Sequence, residues 1–257
     1  MDVSPLIEKV VQGIKWLDLV KDSAKYLVAV AAGWAWKFLY DRWKTRRARN
    51  FWRPFLSKDL RIVLGPFKDE EFEGFERSGF LGVGDAFALA ELQSFLATLG
   101  ITAPQVFYAD RMKDGDALKH PLILLGGPDA NEITDKASKL LRTTLRFGNP
   151  NIHEISFLDI SAKPPRVYKP NDATSQQSES DLGFICKAPN PFATDKPALI
   201  IAGSFGYGTW AAARYLMSSE FLGSRDATYP SLEGLIETDI VLDTPQRIRP
   251  LVFRPLN

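Results

Sequence analysis

The 257-residue chain has a single cysteine, Cys186, and only two histidines, His120 and His153. One cysteine excludes an intrachain disulfide and a cysteine-rich metal cluster, and it fits a reducing compartment. The histidines form no i, i+4 pair, so the sequence carries no metal signature and no metal is expected. A formal net charge of +1 lacks the basic excess of a nucleic-acid-coating surface, so nucleic acid is not an expected partner. No glycine is followed by the Lys-Ser/Thr pair of a Walker loop. Apolar runs stop short of the roughly 20 residues that a bilayer crossing needs. What the chain does have is 45% hydrophobic and 25% charged residues, enough for one substantial core.

The first fifty residues differ from the rest. Leu6, Val10, Ile14 and Leu17 recur at helical spacing, which predicts an amphipathic helix. The piece from Tyr26 to Tyr40 is apolar on every face except for Lys37, so it calls for burial in protein or lipid. Trp34, Trp36, Tyr40, Trp43 and Trp52 resemble interfacial anchors. Arg42, Lys44, Arg46, Arg47, Arg49 and Arg53 follow as a cytoplasmic flank would. Membrane association is therefore expected of residues 1–54; the other reading is a helical hairpin docked on protein, with the arginines solvated. An acidic, amphipathic start without a basic n-region argues against a cleavable signal.

From residue 55 the rhythm changes to short apolar runs alternating with helical segments, which predicts an α/β domain over 55–257. Strands are expected at Leu60, Gln105, Pro121, Glu154, Gly183 and Ala198. The last two are joined by "PNPFATDKP", too short for a helical crossover, so they should pair antiparallel and make the sheet mixed, though mostly parallel. "GDAFALAELQSFLATLG" predicts a helix that ends at Gly100, and further helices are expected in "DANEITDKASKLLRTTL" and "GTWAAARYLMSS". "DIVLDTPQRIRPLVF" suggests a last strand or hairpin broken by Pro245 and Pro250. Lys163 to Asp181 is rich in Pro, Ser, Gln and Asn and is expected as an exposed loop.

Three strand-to-helix junctions are marked by glycine: the one before "GVGDAFALAELQ", "LLGGPDANEITDKA" and "IAGSFGYGTWAAA". Ligands of open α/β sheets sit beyond the carboxyl ends of strands, so these junctions point to one shared crevice. Gly126 and Gly127 allow close approach of backbone to a ligand, while Asp129 or Asn131 can cap the next helix. Gly203, Ser204, Gly206, Gly208 and Thr209 offer the same at the other junction. For each, the plain alternative is a tight turn with an N-cap. The spacing G-x-x-G-x-G departs from the dinucleotide fingerprint G-x-G-x-x-G. "AGSFG" also has the look of a nucleophile elbow around Ser204, but both histidines precede it, against the usual hydrolase order. Asp85 is read as a first-turn dipole partner or a site acid, and Asn190 as a ligand-reading amide or an Asx-type turn before Pro191.

The N-terminal hydrophobic helix together with "LLGGPDAN", "APNPF" and "AGSFGYGTWAAARYL" resembles bacterial proteins that join a membrane helix to a Rossmann-like domain. It is also similar, more loosely, to nucleotide-sensing Rossmann-like domains of antiviral signalling systems. The resemblance implies a Rossmann-like mixed sheet, mostly parallel, with helices on both faces, and a membrane-associated sensor or effector with its α/β domain in the cytoplasm. The ligand implied is nucleotide-type or otherwise anionic; a cofactor is not indicated. Two other readings stay open. One is a hydrolase acting on a nucleotide or an ester, with Ser204, Asp85 or Asp129 in its site. The other is an interaction protein, wholly cytoplasmic, whose N-terminal helices bind another polypeptide or a second copy of the chain.

Overall fold

The computed structural model describes residues 28, 30–37, 39, 45–66, 80–112, 115–148, 156–171 and 180–256. It divides into two compact units, Met1–Arg47 and Ala48–Asn257. In the first unit, residues 30–37 are helical and exposed, Trp34 and Trp36 among them. The amphipathic stretch expected over Val3 to Lys21, with Tyr26, Tyr40 and Trp43, lies outside the described residues. Among the described residues no helix is long and apolar enough to cross a membrane.

The second unit is a mixed α/β fold. Its elements run β1 (Arg61–Leu64), α1 (Val83–Thr98), β2 (Gln105–Tyr108), β3 (Leu122–Leu125), α2 (Glu132–Leu140), β4 (Leu145–Phe147), β5 (Phe157–Asp159), β6 (Arg166–Tyr168), β7 (Ser180–Asn190), β8 (Ala193–Gly203), α3 (Gly206–Met217), α4 (Ser219–Gly223), β9 (Leu232–Val241) and β10 (Thr244–Pro255). The main sheet has the order β10-β9-β7-β8-β3-β1-β2. β2, β1, β3 and β8 are parallel, whereas β7, β9 and β10 join by antiparallel pairing. The β7–β8 hairpin is the one that its short connection predicts.

Continuous apolar runs such as "LILL" suit the centre of this sheet because both faces of each strand are buried. Successive residues then go to different cores. Ile62, Leu64, Ile123, Leu125, Leu199 and Ile201 pack with Ala88, Leu92 and Leu96 of α1 and Ala212 and Leu216 of α3. Val63, Leu122, Leu124, Ala198, Ile200 and Ala202 pack with Ile133 and Ala137 of α2 and with Leu145 and Phe157. α1 stops where Gly100 takes a φ of +102°, a conformation that L side chains resist. Trp52 corrects its expected role as an interfacial anchor. It is 0% exposed and sits edge-on to Phe51 and Phe55, because its large apolar surface fills the core beside α1.

A second sheet, β4-β5-β6, is antiparallel throughout. It stacks Phe157 on Phe184 of β7, with ring centroids 5.9 Å apart. An ionic cluster joins it to the main sheet. Arg254 of β10 donates to Glu233 of β9 (2.6 Å) and to both oxygens of Asp159 of β5 (2.9 Å each). Glu233 also accepts the backbone N–H groups of Thr144 and Leu145. The loop expected from Lys163 to Asp181 is thus only partly a loop. Arg166–Tyr168 pairs with β5, and Ser180 and Asp181 already belong to β7; residues 172–179 lie outside the description. The hairpin expected near the C-terminus is β9–β10, and Pro245 and Pro250 are accommodated on the sheet's edge strand beside two register shifts.

Candidate functional site

The three glycine junctions meet at the carboxyl ends of β1, β3 and β8. Gly126 donates its N–H to the Ile201 carbonyl (3.0 Å), and a Cβ on Gly127 would stand 3.7 Å from the Gly203 oxygen. The N-termini of α1 and α3 touch: a Cβ on Gly84 would lie 2.0 Å from the Gly206 oxygen. The turns that carry Gly126, Gly127, Gly203 and Gly206 are therefore neighbours.

At its centre stands Asp85, on the first turn of α1 and 4% exposed. Its carboxylate accepts the Thr209 hydroxyl of α3, and a Cβ on Gly126 would be 3.3 Å from Oδ2. Oδ1 is buried with no donor. Burial pushes this carboxyl up to about 6; the Thr209 hydrogen bond works against that rise and the charge of Asp129 adds to it. The Ser204 hydroxyl is likewise buried and unpartnered. Asp85 is thus a buried acid pushed towards neutrality, packed between closely approaching glycine turns.

The remaining residues expected at the site have local tasks. Asn131 is 0% exposed and caps α2: its oxygen accepts the N–H groups of Ile133 and Thr134, while Nδ2 donates to the carbonyls of Val63 (3.1 Å) and Leu125 (2.9 Å). Every polar atom of that side chain is engaged, so Asn131 fastens β1 to β3 at their carboxyl ends. Asn190 adopts its Asx-type reading, accepting the Phe192 N–H and donating to the carbonyls of Leu118 and His120. Asp129 is exposed.

The turn before α3 differs from the expected anion cradle. Phe205 occupies the N-cap position and supplies no capping side chain. Asp181 of β7 takes that place, accepting the N–H groups of Leu182 (2.7 Å), Phe205 (3.1 Å) and Gly208. The protein's own carboxylate fills the helix terminus, as the dipole favours. Burial nonetheless pushes Asp181 up to about 8, against the pull of these three N–H groups. Gly208 is small because a Cβ there would lie 2.0 Å from the Leu182 carbonyl oxygen. No sequence signal marks Asp181, since the partners that make it a helix cap come from a turn more than twenty residues away.

Among the described residues the elbow reading of Ser204 finds no histidine beside it. His120 precedes β3, at the amino end of the strand whose carboxyl end faces the crevice, and His153 lies outside the described residues. Among the described residues no group of three or more His, Cys, Asp or Glu is placed to hold a metal ion. No family model matches this sequence, and no curated protein matches it.

Proposed function

We propose that Ala48–Asn257 is a Rossmann-like domain, with helices on both faces of its sheet, that binds a small ligand in the crevice around Asp85. The observation that carries this reading is the Asp85 carboxylate, buried with one oxygen lacking a donor where three glycine turns converge. A buried carboxylate in want of donors is satisfied by hydroxyl or amine groups of a ligand. With Asp181 on the α3 terminus and the charge of Asp129 acting on Asp85, the crevice favours the sugar of a nucleotide-type ligand over its phosphates. Gly126, Gly127, Gly203 and Gly206 would line it, with Ser204 and Thr209 as further polar contacts.

Whether the domain senses or converts its ligand is decided by one experiment. The full chain is incubated with pooled nucleotides, nucleosides and sugars, and retained and released molecules are identified by mass spectrometry. A hydroxyl-rich ligand retained unchanged marks a sensor. A converted one marks an enzyme in which Asp85, titrating near neutrality, moves a proton. Asp85→Asn should abolish retention while keeping the fold; retention undiminished in that variant, or no ligand retained at all, overturns the reading. The exposed Trp34 and Trp36 of the first unit support a further proposal, that this segment rests on lipid or on another polypeptide.

A further inference from the structure

A cavity of about 330 Å³ opens beside the start of β1, lined by Arg61, Phe107, Arg111, Met112, Asp116 and His120 among others. Arg61 is the first residue of β1, and its guanidinium lies over the Phe107 ring of β2, 5.3 Å from the centroid. Its Nε is buried and has no acceptor, and no ion pair among the described residues includes Arg61. A guanidinium brings five donors and a permanent charge, and withdrawing it partly from water without a carboxylate is costly. The aromatic face offsets part of that cost.

The cavity supplies what an anion would need. Arg111 adds a second guanidinium on its wall, held over the Tyr108 ring at 5.2 Å, and His120 adds an imidazole. The carboxylate on the lining, Asp116, is exposed and engaged by Lys119 at 2.7 Å. Phe107 and Met112 offer apolar surface. The volume stands at the small end of ligand sites.

We propose that this cavity is a second binding site, independent of the Asp85 crevice, and that it takes a small organic oxyanion: a carboxylate or phosphate monoester whose charged end meets Arg61 and whose apolar body lies against Phe107. Two probes distinguish the two oxyanions, benzoate and phenyl phosphate, titrated into the full chain by calorimetry, with benzamide as the neutral control. At least one should bind saturably, and benzamide should not. Arg61→Gln should weaken that binding by about tenfold or more, Arg61→Lys by less, and Asp85→Asn not at all. Amide chemical shifts of the unsubstituted protein provide a check that needs no variant: the bound probe should move the signals of Arg61, Phe107 and His120. The proposal is overturned if neither probe saturates, if benzamide binds as well as benzoate, if folded Arg61→Gln binds undiminished, or if the shifts fall elsewhere.

Discussion

Asp85 carries two consequences at the scale of a single residue. Its carboxyl titrates at about 6 in the folded protein and near 3.9 when unfolded. Between those values the native state holds more protons, so the Asp85 contribution makes stability fall as pH rises from about 4 to about 6 and stay level above. Asp85→Asn should remove that slope and raise stability at pH 7 by about 3 kcal/mol, read from denaturant melts across the pH range. Asp159 acts with the opposite sign in a lower window. Its hydrogen bond to Arg254 holds it at about 2, so its stabilisation is full above about pH 4 and is lost towards pH 2. The glycines give a second contrast. Gly208→Ala should cost about 3 kcal/mol or more, since its Cβ meets the Leu182 oxygen at 2.0 Å, whereas Gly206→Ala meets the Gly84 backbone at 3.3 Å and should cost less. A glycine kept small for a ligand would instead lose binding with its melting point unchanged. These junctions are legible in the sequence because a glycine turn between an apolar run and a helix has a local cause. The residue at their centre is not: an acid on a helix's first turn looks like an ordinary dipole partner until Thr209 and Gly126 are seen against it.

Among the elements, α3 shows most plainly how far local pattern reaches. Its alanine-rich run is enough to predict the helix, and its interior packs as such patterns require. Its start is set from β7, where Asp181 accepts the amides that a Ser or Asp at the N-cap would ordinarily satisfy. Asp181→Ala should therefore destabilise the protein by about 2–4 kcal/mol near pH 4, combining a lost cap with buried N–H groups left unpaired, and by less towards neutral pH, where the variant also escapes the burial that pushes this carboxyl up to about 8. Chemical denaturation near pH 4 measures this directly, and a loss there under 1 kcal/mol would mean that water replaces the carboxyl at no great cost. The α1–α3 contact has an analogous tie: Glu91 accepts from Trp210 Nε1 (2.9 Å) and from Arg214 (2.6 Å), beside Phe87 stacked on Trp210. Such long-range partners leave no period or spacing behind them. That is also why β6 hides in a polar stretch: its three residues are held by pairing with β5, not by apolar alternation of their own.

For the whole molecule, the aromatic residues ahead of β1 decide where the folded body begins. Phe51 and Trp52, 1% and 0% exposed, share a core with α1 and α3. A chain starting at Phe55 should lose several kcal/mol relative to one starting at Ala48, since deleting one large buried aromatic alone costs about 3–5 kcal/mol. Calorimetry of the two truncations distinguishes them, and equal melting points would show that these rings are dispensable. Arg254 bears on cooperativity. With its guanidinium shared between Glu233 in the main sheet and Asp159 in the small one, peeling β4–β6 away would strand charges that are otherwise mutually neutralised. The small sheet is thereby denied a cheap local opening, and its amides should exchange with deuterium only through the same global event that releases β3 and β8. Replacing Arg254 with Met should uncouple the two, giving β5 an exchange regime of its own and turning one unfolding transition into two.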